Sequence, residues 1–289
     1  MTISDYELDS SFVVNNTDIP IIDEDIESVN QSALLYIRKN YLALAIFFLV
    51  VVLVFAWFSL AFRVYNLMFI PIGLFFLAYG FIQKNIRHAF MQQFAKTNNF
   101  SYQRWDSIAF YPAPYLDIGY DRTVEDVVSG EYLGLPVKFF TFSCKKGYGK
   151  NKQTISFTVC EIHYKCNLPR IFLDAHHRNI FTNGPSPKLQ GEEIISLEGD
   201  FNKYFTLYVP RGYAIEALQI FAPDVMAKLI DKSKKFDLEF TGDHLYIYSS
   251  SVISTKEDLY SMFDLAKILT MELAPVLERL DVPVYQKKY

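Results

Sequence analysis

Asp174, His176 and His177 are the residues whose types and spacing most invite chemistry. They end an apolar run, Arg170 to Asp174, where a strand would give way to a turn, and such ends often carry function. A histidine beside a carboxylate can take and return a proton near neutral pH. Adjacent histidines on an extended backbone diverge, so at most one would work with Asp174. No serine or cysteine stands beside them as a nucleophile. The expected reading is a solvated turn without a catalytic role; if the protein is an enzyme, these three are the first candidates.

Cys160, His163 and Cys166 combine thiol and imidazole, both zinc-ligand types. On a strand, Cys160, Ile162, Tyr164 and Cys166 would share one face while His163 takes the other, and the two cysteines would sit about 20 Å apart. No local metal site and no cofactor is expected. Together with Cys144 the cysteines are odd in number and lack zinc-ribbon spacing, and we read them as core residues of a reducing compartment. Gly147, Gly149 and Lys150 look like part of a phosphate-binding loop. That loop needs four residues between its glycines and a hydroxyl after the lysine, whereas Asn151 follows here, so a hairpin tip is expected.

The elements that would position these residues follow two uncharged apolar runs, Tyr41 to Phe62 and Leu67 to Ile82. A bilayer core needs about 20 helical residues. The first run is long enough outright, and the second becomes so if Val64 to Asn66 join it. Lys and Arg mark the cytoplasmic side: Arg38 and Lys39 precede the first run, Lys84, Arg87 and Lys96 follow the second, and Arg63 stands alone at the tip. The expectation is an integral protein of the plasma membrane with both termini cytoplasmic. Cleavage as a signal peptide is not expected, because the apolar run starts forty residues in and follows an acidic stretch. The first forty residues hold eight acids against two bases, and the net charge of the whole chain is −4. The remainder is therefore near neutral, without the positive field that phosphate backbones require, and nucleic acid is not an expected partner.

After the second run, Ile86, Phe90 and Phe94 continue a helical stripe to about Thr97, to pack on the following domain or lie at lipid. Phe100 to Tyr120 is aromatic and reads as a core-covering loop. Strands follow at Val127–Tyr132, Leu135–Lys145 and Gln153–Tyr164, continued by Arg170–Asp174, then at Glu193–Glu198 and Tyr204–Val209. Short helices are expected near Ala214–Phe221 and from Pro223 to about Lys232. A hairpin is expected with strands Phe236–Phe240 and Leu245–Ser249 and its turn at Gly242 and Asp243. A long helix, about Lys256 to Leu280, repeats Leu259, Met262, Ala266, Leu269, Leu273, Val276 and Leu280 at steps of three and four. That seam packs on a sheet or pairs two chains.

The run Ile195 to Phe205, then Ala217, Leu218, Phe221, Pro223, Met226 and Leu229, then Asp243, Leu245, Tyr246 and Ile247, resembles a bacterial family of uncharacterised membrane proteins defined as a domain of unknown function. The resemblance implies a short helical membrane hairpin followed by a soluble domain. It carries no catalytic residues, and the acidic tail and long final helix depart from it. The expected fold class is α+β: an acidic flexible tail over 1–40, a transmembrane hairpin over 41–82, a connecting helix over 83–98, and a mainly antiparallel cytosolic domain over 99–289 with a long C-terminal helix. The expected role is a noncatalytic interaction or assembly module, held to membrane lipid by the hairpin and binding a protein partner or itself. The alternatives are a membrane-tethered enzyme acting on a lipid or envelope precursor, and a sensor of small ligands.

Overall fold

The structure, a computed structural model, describes residues 41–61, 63, 70–176, 192–197, 199–233, 235–253 and 255–277. The expected tail, His177 and the chain beyond 277 lie outside the described residues. Two compact units are present, one ending at Thr97 and the other starting at Asn98.

The first unit contains α1 (Tyr41–Ala61) and α2 (Ile70–Thr97). All 21 residues of α1 are uncharged. In α2 the charges begin only at Lys84, so an apolar half runs straight into a polar one. That continuity matches the helix expected through Gln83 to Thr97, and Phe90 and Phe94 of its stripe are buried. Between the helices Arg63 takes a left-handed conformation, φ 53°, with its amide donating to the Leu60 carbonyl at 3.4 Å. Among the described residues, no helix is long and apolar enough to cross a membrane.

The second unit is built on one long strand. β2 (Tyr120–Tyr132) and β3 (Leu135–Lys146) form a hairpin closed by Leu133 and Gly134, both left-handed at φ 53° and 75°. That two-residue turn twists with its strands. β4 (Gln153–Ala175), 23 residues long, runs back beside β3 from Lys146↔Gln153 to Val137↔Ile162. Its last residues, Phe172 to Ala175, pair instead with β6 (Phe205–Pro210), which carries β5 (Glu192–Ile195) on its other side. β7 (Phe236–Ser249) pairs with β4 from Val159 to Leu173. Since Val159 to Ile162 pair with both β3 and β7, and Phe172 and Leu173 with both β6 and β7, β7 lines one edge of β4 while β3 and β6 share the other. β1 (Ser101–Asp106) closes the far side on β2. Among the described residues these seven strands make one antiparallel sheet.

The α+β class holds, with three corrections to the expected strands. The hairpin expected at Gly242 and Asp243 is absent: Phe236 to Ser249 is one strand, because β4 offers a partner along its whole length. Gln153–Tyr164 and Arg170–Asp174 are likewise one strand, whose ladder slips between His163 and Leu168 and again before Ile171. Such slips are bulges, which bend a strand without ending it. The segment expected as a loop from Phe100 begins instead with β1.

Side chains alternate across a pleated strand, and both faces of this sheet are covered. One face presents Phe140, Phe142, Phe157, Val159 and Tyr248, overlaid by Tyr111, Ala113, Tyr115, Leu116 and Ile118 from the turns after β1. Tyr115 sits 5.0 Å from Phe172 and 4.6 Å from Tyr248, ring to ring. On the other face, Phe139 and Tyr132 meet Phe263 of α5 (Lys256–Leu277) at 4.2 and 5.4 Å. The seam Leu259, Met262, Ala266, Leu269 and Leu273 is buried. Thus α5 packs on its own sheet. Two short helices, α3 (Ala214–Ile220) and α4 (Pro223–Lys232), link β6 to β7 at the expected places.

Candidate functional site

Asp174 and His176 close β4, but the structure does not make them a working pair. His176 directs Nδ1 at the Lys203 carbonyl, 3.1 Å away, and Nε2 at the Thr206 hydroxyl, 2.7 Å away. A carbonyl only accepts, so Nδ1 carries the proton and Nε2 accepts from Thr206. Both ring nitrogens are thereby engaged in tying the end of β4 to β6. Burial raises the Asp174 carboxyl above its ordinary value, against the nearby His176.

A second polar group lies deep in the sheet around Glu239, which is fully buried. One of its oxygens meets Arg170 Nε at 2.7 Å. The other accepts the Tyr248 hydroxyl at 2.7 Å and the Tyr115 amide at 3.2 Å. Arg170 also reaches Glu192 at 3.3 Å. Next to it, Asp237 accepts the Ala175 amide at 2.9 Å. Burial first, and Glu239 second, push the Tyr248 phenol far up, so it donates and does not ionise. Both oxygens of Glu239 are taken by these partners, and the group reads as structural.

The third group faces outward. His163 on β4 stands directly opposite His244 on β7, their rings stacked 4.9 Å apart at 24°. Asp243 sets one oxygen 2.6 Å from His163 Nε2 and the other 2.6 Å from His244 Nδ1. Neighbours on a regular strand point to opposite faces, yet Asp243 and His244 meet here. Two irregularities bracket them: Gly242 is left-handed at φ 60°, and the ladder slips just after His163. Behind His244, Glu161 lies 3.4 Å from Nε2. Glu161 is buried, accepts the Tyr246 hydroxyl at 2.7 Å and has Lys138 Nζ at 3.9 Å. Burial works against ionisation of Asp243, but the bond with His163 and the charge of His244 outweigh it and hold the carboxyl low.

The sequence reading had separated these residues, placing His163 alone on a strand face and Asp243 in a turn. The adjacent Asp243 and His244 were the one local signal, and the partner arrives only through strand register. Cys144, Cys160 and Cys166 are free and buried, as expected for core residues. Burial raises the thiols of Cys144 and Cys160.

No protein-family model and no curated protein matches the chain. Among solved structures, the crystal structure of the mycobacterial trehalose monomycolate transport factor A, TtfA, is similar over 68% of this chain and 96% of that one, at 14% identity and a TM-score of 0.48. That likeness is too slight to bear on function.

Proposed function

We propose that the chain is a membrane-anchored, noncatalytic interaction or assembly module of the bacterial family it resembles. α1 and α2 form the bilayer hairpin, and the unit from Asn98 is displayed in the cytoplasm. One observation carries the anchor. Phe47, Leu53, Trp57 and Leu60 of α1 are 69, 59, 65 and 71% exposed on a helix of 21 residues without a charge. Leu74 and Phe76 of α2 are exposed as well. Apolar surface on this scale is not left in water without an occupant, and lipid suits a helix about 31 Å long.

The interaction role draws on Ile194 of β5 and Ile215 of α3, large apolar side chains that stay exposed on the second unit. Both calls are tested together. The full chain should resist alkaline carbonate extraction from membranes, whereas Leu53→Arg with Phe76→Arg should release it, since each arginine costs about 3 kcal/mol at a helix centre. Photo-crosslinkers at Ile194 and Ile215 in intact membranes should capture a discrete protein or a second copy. A wild-type chain that washes off, or crosslinkers that capture nothing, would remove the corresponding half of the reading.

A further inference from the structure

We propose that His163, Asp243 and His244 form a binding site for a divalent transition-metal ion of the zinc class. Each residue offers one ligand atom, and these atoms all lie within 4.8 Å of one another. Zinc bonds of about 2.0–2.2 Å place tetrahedral ligands roughly 3.3 Å apart. From contacts of 2.6 Å, small side-chain rotations reach that spacing. Two imidazoles among three donors disfavour magnesium and calcium, which prefer oxygen, and favour zinc and its neighbours.

Two further features are what such a site requires. The Asp243 carboxylate only accepts, so it holds the proton on His244 Nδ1; an ion binding at Nδ1 displaces that proton, and the tautomer with Nε2–H then faces Glu161, 3.4 Å away. Ligand histidines are commonly oriented by a carboxylate in this way. Its own bond from Tyr246 fixes Glu161 in place. The left-handed Gly242 and the bulge after His163 supply the second feature, since they bring consecutive side chains of β7 to one side. The His163, Asp243 and His244 side chains are 46, 49 and 20% exposed, so an ion can enter from solvent. Three protein ligands leave a fourth position for water or for a side chain of a bound partner.

The test uses the full-length chain without an affinity tag, in mild detergent, stripped with a chelator and titrated with cobalt(II) and then zinc(II). One equivalent of cobalt should give the visible absorption of a four- or five-coordinate site, and zinc should abolish it. Asp243→Asn, and His163→Ala with His244→Ala, should lose the band. Glu161→Gln should weaken binding about tenfold or more. Alanine at both His176 and His177, the other closely spaced histidines, should leave the band intact. Zinc should raise the melting temperature of the wild type and not of Asp243→Asn, which also reports that the variant folds. A wild-type chain without a saturable cobalt band, or a band that survives loss of both His163 and His244, overturns the proposal.

Discussion

Glu239 shows how a buried charge becomes a structural part rather than a reagent. Its two oxygens take Arg170, Tyr248 and the Tyr115 amide, and so tie β4, β7 and the turn segment over one face of the sheet. Removing one partner of a buried pair leaves the other uncompensated, at about 3–5 kcal/mol. Glu239→Ala should lower unfolding free energy by that amount in urea titration, a large share of about 5–15 kcal/mol in all, and Glu239→Gln should cost less. Asp174 gives a prediction of opposite sign. Its carboxyl is raised, chiefly by burial. A raised acid holds its proton more tightly when folded, so stability falls as pH climbs from the unfolded value through the folded one. Asp174→Asn, which cannot ionise, should therefore raise the melting temperature at about pH 7 and do so less at about pH 3. Equal shifts at both would deny that the carboxylate is strained. At this scale the sequence identified the residue types, and the cysteines are buried as core residues. It could not identify the constellations, because Glu239 with Arg170, and His163 with His244, become neighbours only through the pairing of β4 with β7.

The pairing of those two strands is where sequence patterning and structure part. Gly242 and Asp243 between two apolar runs carry the composition of a tight turn, and the left-handed φ at Gly242 is real. What the pattern lacks is the neighbour. β4 lies beside the whole run and absorbs the irregularity in its own bulges, so the chain continues where an isolated segment would reverse. Where the signal was local, the reading held: the β2–β3 and β3–β4 turns, α3, α4 and the start of α5 all fall close to their expected places. The seam of α5 was legible as a stripe but not its partner, which Phe139, Tyr132 and Phe263 identify as the sheet. Leu269 is buried in that seam. Leu269→Asp should therefore unfold the second unit, since an unpaired buried carboxylate costs several kcal/mol. Loss of near-ultraviolet circular dichroism would report it, and a well-folded mutant would mean that the seam is not what holds the unit together.

For the molecule as a whole, the proposed membrane hairpin carries a prediction about which way it would face, set by the charges around it. Arg38 and Lys39 precede α1, Lys84, Arg87 and Lys96 lie along the polar half of α2, and the tip has Arg63 alone. Positive residues stay on the cytoplasmic side during insertion, so the tip should cross the bilayer and everything from Asn98 should remain inside. The cysteine chemistry makes this measurable, because all three native cysteines are buried, and buried structural thiols react slowly with maleimides. A cysteine introduced at an exposed position then reports almost without background. Tyr148, on the β3–β4 turn, is 84% exposed and suits the domain, and Arg63 suits the tip. In intact spheroplasts a membrane-impermeant maleimide should label Arg63→Cys and spare Tyr148→Cys, and after lysis it should label both. Labelling of Tyr148→Cys from outside would reverse the orientation. Labelling of both from outside without lysis would mean that α1 and α2 lie on the membrane surface rather than across it.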